Sequence, residues 1–193
     1  KLAEDEIIRL QELISDSETL GIDMSSAQDY FKKAQVEYLN KNYNQVLSLV
    51  EQADDVIKIR RSRYDSVMKI MNKVKEKIDE CRELGGGKLE IDTVESLVYD
   101  AQDGLVKKDI TKAEENSNQA LEEVKSLEDR LKRRKALDTI TKIPGVIEEL
   151  NKLGDEPEGL EKLHEEAKMS FENGDYPSAY DISTRVVTLA SDR

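Results

Sequence analysis

The segment YNQVLSLVEQADDVIKIRRSRYDSVMKIMNKVKEKIDECREL, Tyr43 to Leu84, decides the fold. Its apolar residues fall at Val46, Val50, Ala53 and Ile57, then at Tyr64, Val67, Met71, Val74, Ile78 and Cys81. The spacing alternates between four and three residues; Arg60 takes the slot between Ile57 and Tyr64, and no Gly or Pro intervenes. Residues three and four apart share one face of an α-helix. A seam that holds its heptad phase this long predicts one continuous helix. At 1.5 Å rise per residue, about 40 residues make it about 60 Å long.

Outward from that helix, the chain repeats itself three times. Leu20-Gly21, Leu84-Gly85 and Leu153-Gly154 each end an amphipathic stretch. Ile7, Leu10, Ile14 and Ser17 precede the first; Met71, Val74, Ile78 and Cys81 the second; Ile140, Ile143, Ile147 and Leu150 the third. The Gly suits a helix C-terminus, where a left-handed backbone costs little. A second helix follows around Ala34, Ala101 and Ala167, with a short insertion near Gly86-Gly87-Lys88 in the middle copy. Asn42, Asp109 and Asp175 then stand as N-caps of a third helix. Asn42 with Gln45, and Asp92 with Glu95, have capping-box spacing.

The fold expected is therefore all-α: three tandem short three-helix units, 1–63, 64–136 and 137–193, joined by long continuous helices into an elongated rod. The helices fall near 3–20, 24–40 and 43–62; 65–84, 92–107 and 110–134; 137–153, 157–173 and 176–191. At the second junction the seam jumps five residues, from Leu131 to Ala136, and Pro144 predicts a kink.

The turn Phe171-Glu172-Asn173-Gly174-Asp175-Tyr176-Pro177-Ser178-Ala179 resembles the inter-helix turn of tetratricopeptide repeats, through Gly174, Tyr176 and Ala179. The first helix lacks that family's Trp, and the period of 66–67 residues is not 34. The fused third-to-first helices resemble spectrin-like three-helix repeats in shorter units, without their Trp. These likenesses imply architecture and transfer no functional residue.

Charged residues make up 37% of the chain, against about 25% in ordinary domains, which fits solvated helix faces between apolar seams. Aromatics are 5% with no Trp, which disfavours one bulky core. The net charge of −12 argues against nucleic acid, whose phosphates demand a basic surface. No apolar run approaches the roughly 20 residues of a membrane span. A chain opening Lys1-Leu2-Ala3 is expected to be a piece of a longer repeat array, and the cytoplasm is the favoured compartment.

Catalytic and cofactor-binding chemistry finds no footing. Gly85-Gly86-Gly87-Lys88 follows a helix rather than a strand and has no Ser or Thr after the Lys, so it is not a phosphate loop. His164, among Glu161, Glu165 and Glu166, reads as a surface or edge histidine, with too few partners for a metal. Cys81 stands where Ser17 and Leu150 stand in the other copies and reads as a buried core thiol. The sequence thus predicts no enzyme, no cofactor, no metal and no small-molecule substrate.

Two basic clusters remain as candidate partner-binding residues: Lys58, Arg60, Arg61 and Arg63, then Arg130, Lys132, Arg133, Arg134 and Lys135. They are expected either to pair with neighbouring acids on a solvated helix or to dock an anionic partner. The function expected is a non-catalytic structural spacer or scaffold segment acting through protein partners or self-association. The alternative is a helical-repeat module that captures a partner helix or peptide in grooves between repeats, or an anionic partner at the junctions.

Overall fold

The computed structural model describes residues 1–152 and 158–191. Among them are seven α-helices and no strand, an all-α fold. The helices are α1 (Leu2–Thr19), α2 (Ser25–Leu39), α3 (Tyr43–Glu83), α4 (Lys88–Val106), α5 (Ile110–Lys152), α6 (Glu158–Glu172) and α7 (Tyr176–Ser191). The third Leu-Gly, Leu153-Gly154, and Pro157, where the sequence begins the following helix, lie outside the described residues.

Both junctions are helical. The seam of α3 is buried from Val46 to Cys81, apart from a half-buried Tyr64. Arg60 breaks the apolar pattern without breaking the helix, because a partly exposed junction position tolerates a long amphipathic side chain. Helix α5 likewise absorbs the five-residue step, burying both Leu131 and Ala136. It also continues through Pro144, whose absent N–H removes the donor to the carbonyl one turn back.

The start of α4 departs from the sequence expectation. Helix begins at Lys88 rather than near Asp92, so Asp92 lies in the second turn. The cap is made earlier, where the Gly87 N–H donates to the Glu90 carboxylate at 3.0 Å. Asp109 and Asp175 do cap α5 and α7, accepting from the N–H of Lys112 at 3.0 Å and Ser178 at 3.2 Å. Hydrogen bonding from Ser178, its side chain first and its backbone second, holds the Asp175 carboxyl below its usual range. Asn42 differs again: its side chain donates to Glu37 at 2.6 Å.

One closing device recurs at five turns. At Gly21, Lys41, Gly85, Lys108 and Gly174 the backbone takes positive φ. Each N–H bonds the carbonyl three residues back, and the next N–H bonds five back, as in Gly85 to Arg82 (2.9 Å) and Gly86 to Cys81 (2.8 Å). This pairing satisfies the last carbonyls of the helix. Two of the five positions carry Lys, which pays a steric cost in this region that Gly174 avoids in the third copy.

By packing, the chain forms two compact units. The first holds Lys1–Val74 and Glu95–Leu121. Its largest apolar cluster joins Leu10 and Ile14 of α1, Ala27 and Ala34 of α2, and Val46 through Ile57 of α3. The second holds Lys75–Val94 and the described part of Glu122–Arg193. There Ile143, Ile147 and Leu150 of α5 pack with Leu160 of α6 and Val186 of α7. Ala136 and Ile140 pack with Ala167 and Ala179, small residues that let the helices approach closely. Helices α3, α4 and α5 each contribute residues to both units.

Candidate functional site

The first basic cluster is engaged inside the first unit. Arg60 pairs at 3.4 Å with Asp23, in the turn between α1 and α2. A backbone bond from Ser25, aided by Arg60 and Lys108, holds the Asp23 carboxyl below its usual range. Arg61 donates to the Ser17 hydroxyl at 2.8 Å and the Leu13 carbonyl at 3.3 Å, both on α1. Arg63 makes a two-pronged bond to Glu114 of α5, at 2.8 and 2.6 Å. Successive arginines on α3 thus tie down three different elements. Lys58 is exposed, 3.8 Å from Asp55.

The second cluster belongs to the second unit and is more open. Lys132 is half-buried, whereas Arg130, Arg133, Arg134 and Lys135 are exposed. Even so, Arg134 donates at 2.9 Å to the Gly85 carbonyl, in the turn after α3. Arg133 lies over the Tyr176 ring, 5.0 Å from its centre, at the start of α7. Arg130 bonds the Ser126 hydroxyl of its own helix at 3.0 Å. The two clusters overlap at a single position of the repeat register. Arg63 corresponds to Arg130, since Asp109 follows Asn42 by the same interval, and Arg61 corresponds to Glu128.

That last correspondence exposes a polar cluster the composition hid. Glu128 is buried on α5 and accepts from Lys77 of α3 and, at 2.7 Å, from Lys132. Burial alone would push the Glu128 carboxyl up, but the two lysines hold it below its usual range. Both lysines are raised, chiefly by their bonds to Glu128. Cys81 lies one turn beyond Lys77, fully buried, with its thiol 4.0 Å from the Val124 carbonyl. Burial pushes that thiol up, which makes it a poor nucleophile. In the first copy Leu13, Ser17 and Arg61 fill the matched places. The same slot holds one cation there and a carboxylate between two cations here.

His164 is corrected by the structure. It is buried, at 9% exposure, and its Nδ1 has no hydrogen-bond partner. The repeat register carries the signal that its acidic neighbours obscure: His164 precedes Ala167 as buried Val98 precedes Ala101. Burial lowers its pKa, while Glu165 and Lys168 act on it with opposite signs. Below the ordinary value of 6.5 the unfolded chain therefore takes up a proton that the fold resists. Its contribution is full above that pH and is lost as pH falls. His164→Val should stabilise the second unit by about 1 kcal/mol at pH 8. The gain should widen at pH 5 in paired thermal melts.

Among the described residues no group of three His, Cys, Asp or Glu could hold a metal ion. No described helix is long and apolar enough to cross a membrane. Comparison with protein-family models, curated proteins and solved structures finds no match, so the reading of function rests on the chain itself.

Proposed function

We propose that this chain is a non-catalytic helical spacer, a scaffold segment that holds what is attached to it at a set separation through protein contacts. The observation carrying this reading is the use made of the junction cations. Arg60, Arg61, Arg63, Arg133 and Arg134 all reach side chains or carbonyls of neighbouring turns and helices. Such ties hold α3 and α5 against their neighbours within each unit, which a stiff segment requires. The helices α3 and α5, of 41 and 43 residues, support the same reading, since a helix resists bending far better than a loop.

Small-angle scattering with in-line light scattering tests it. A compact sphere of this length has a radius of gyration of about 16 Å. A spacer should give a clearly larger value at monomer mass, unchanged by moderate salt. A value at the compact limit would remove the spacer reading.

A further inference from the structure

We propose that the open furrow between α1 and α2 is a docking face for an amphipathic helix of a protein partner, one with an apolar stripe and a basic residue at each end. This goes beyond the spacer reading and does not depend on it.

The furrow runs along α1 in two stretches of about 440 and 430 Å³ that meet at Gln35. Its floor is apolar, with Ile7 and Tyr38 in one stretch and Ile14 and Phe31 in the other. Two aliphatic side chains of its lining stand exposed, Ile8 at 52% and Leu39 at 80%, and Val36, next to Gln35 on α2, is exposed at 56%. The repeat supplies the standard for judging them. The positions matching Ile8 carry Asn72 and Thr141; those matching Val36 carry Asp103 and Met169; those matching Leu39 carry Val106 and Glu172. Each site accepts a polar residue in at least one other copy, so the fold does not require aliphatics there. Only the first copy has them at all three. Exposed apolar surface that the fold does not need is the mark of an interaction face.

The charge at its ends selects the occupant. Glu4 closes one end of the furrow and Glu18 the other, with Lys32 between them on the opposite wall. Fourteen residues separate the glutamates, about 21 Å along a helix axis. A partner helix meeting both would carry Lys or Arg about four turns apart on one face, flanking its apolar stripe.

A labelled 18-residue helical peptide built to that pattern, with a Leu stripe, a Lys near each end and Ala and Gln elsewhere, is the probe. Fluorescence anisotropy should show saturable binding to the full chain. The double variant Ile8→Asn/Leu39→Glu, made of residues the matched positions already carry, should keep its helical circular dichroism and bind about tenfold more weakly or worse. Glu4→Lys/Glu18→Lys should lose the Lys-ended peptide and take up its Glu-ended counterpart. No saturable binding, or binding unaffected by Ile8→Asn/Leu39→Glu, would overturn the proposal. So would a dimer of the chain that this variant dissolves, because the occupant would then be a second copy.

Discussion

Replacing Ser62 by Pro should melt the first unit and spare the second. Ser62 is exposed in the interior of α3, so the substitution buries no new group and its whole effect is on the backbone. Proline removes one helical hydrogen bond and clashes with the preceding turn, at about 3 kcal/mol or more. The bend would fall between Arg61, which holds α1, and Arg63, which holds Glu114, so both ties would be strained together. For a unit of this size that loss corresponds to a fall in melting temperature of about 15 °C. Hydrogen exchange should show amides of α1, α2 and the first half of α3 losing protection while those of α6 and α7 keep theirs. Loss of protection throughout the chain in one step would mean that the two units do not melt separately.

The second large effect is expected at Glu128. Glu128→Gln keeps the shape and leaves Lys77 and Lys132 facing each other without their shared carboxylate. Breaking a buried ion pair costs about 3–5 kcal/mol. The lysine side chains retain 20% and 25% exposure, which places this loss near the lower end. The fourfold substitution Lys77→Leu, Cys81→Ser, Glu128→Arg and Lys132→Asp transplants the first copy's Leu13, Ser17, Arg61 and Asp65 and should recover most of the stability. The pH dependence follows from the shifts. Glu128 is held below its ordinary 4.5, so its contribution is present above that pH and is lost as pH falls beneath it. Lys77 and Lys132 are raised above 10.5, so theirs is present below that pH and is lost as pH rises through the folded values. The cluster therefore contributes fully between about 4.5 and 10.5, and urea midpoints across that range should differ little between pH 6 and 9. Glu128→Gln should flatten the fall at acid pH.

The seams were legible because burial selects residue type at fixed intervals. Val46 through Cys81 and Ala113 through Ile147 could be read one by one, and both long helices followed. Legibility ended where a choice depends on geometry instead of type. Lys88 begins α4 because Glu90 can reach the Gly87 N–H, a fact no periodicity contains. Charge runs were the weakest guide. Lys58 to Arg63 and Arg130 to Lys135 look alike as text, yet they are offset by several positions in the repeat register. Only Arg63 and Arg130 share a register position, and Arg61 is matched by Glu128, opposite in charge. The exposed aliphatics Ile8, Val36 and Leu39 were visible in principle, but only by asking where one copy departs from its siblings instead of where they agree.

The interleaving of the two units has a consequence for dissecting the gene. Segment 75–94 belongs to the second unit yet comes before segment 95–121 of the first. No single stop codon or restriction boundary can therefore deliver either unit free of a segment of the other. A truncation after Val94 strips the first unit of Glu114, the partner of Arg63, and an internal start at Glu95 denies the second unit Lys77 and Cys81. During synthesis the first unit stays incomplete until Leu121 has left the ribosome, by which time part of the second is already outside. Fragments for expression should be cut in circularly permuted or co-expressed pairs, because the order of the codons is not the order of the packing.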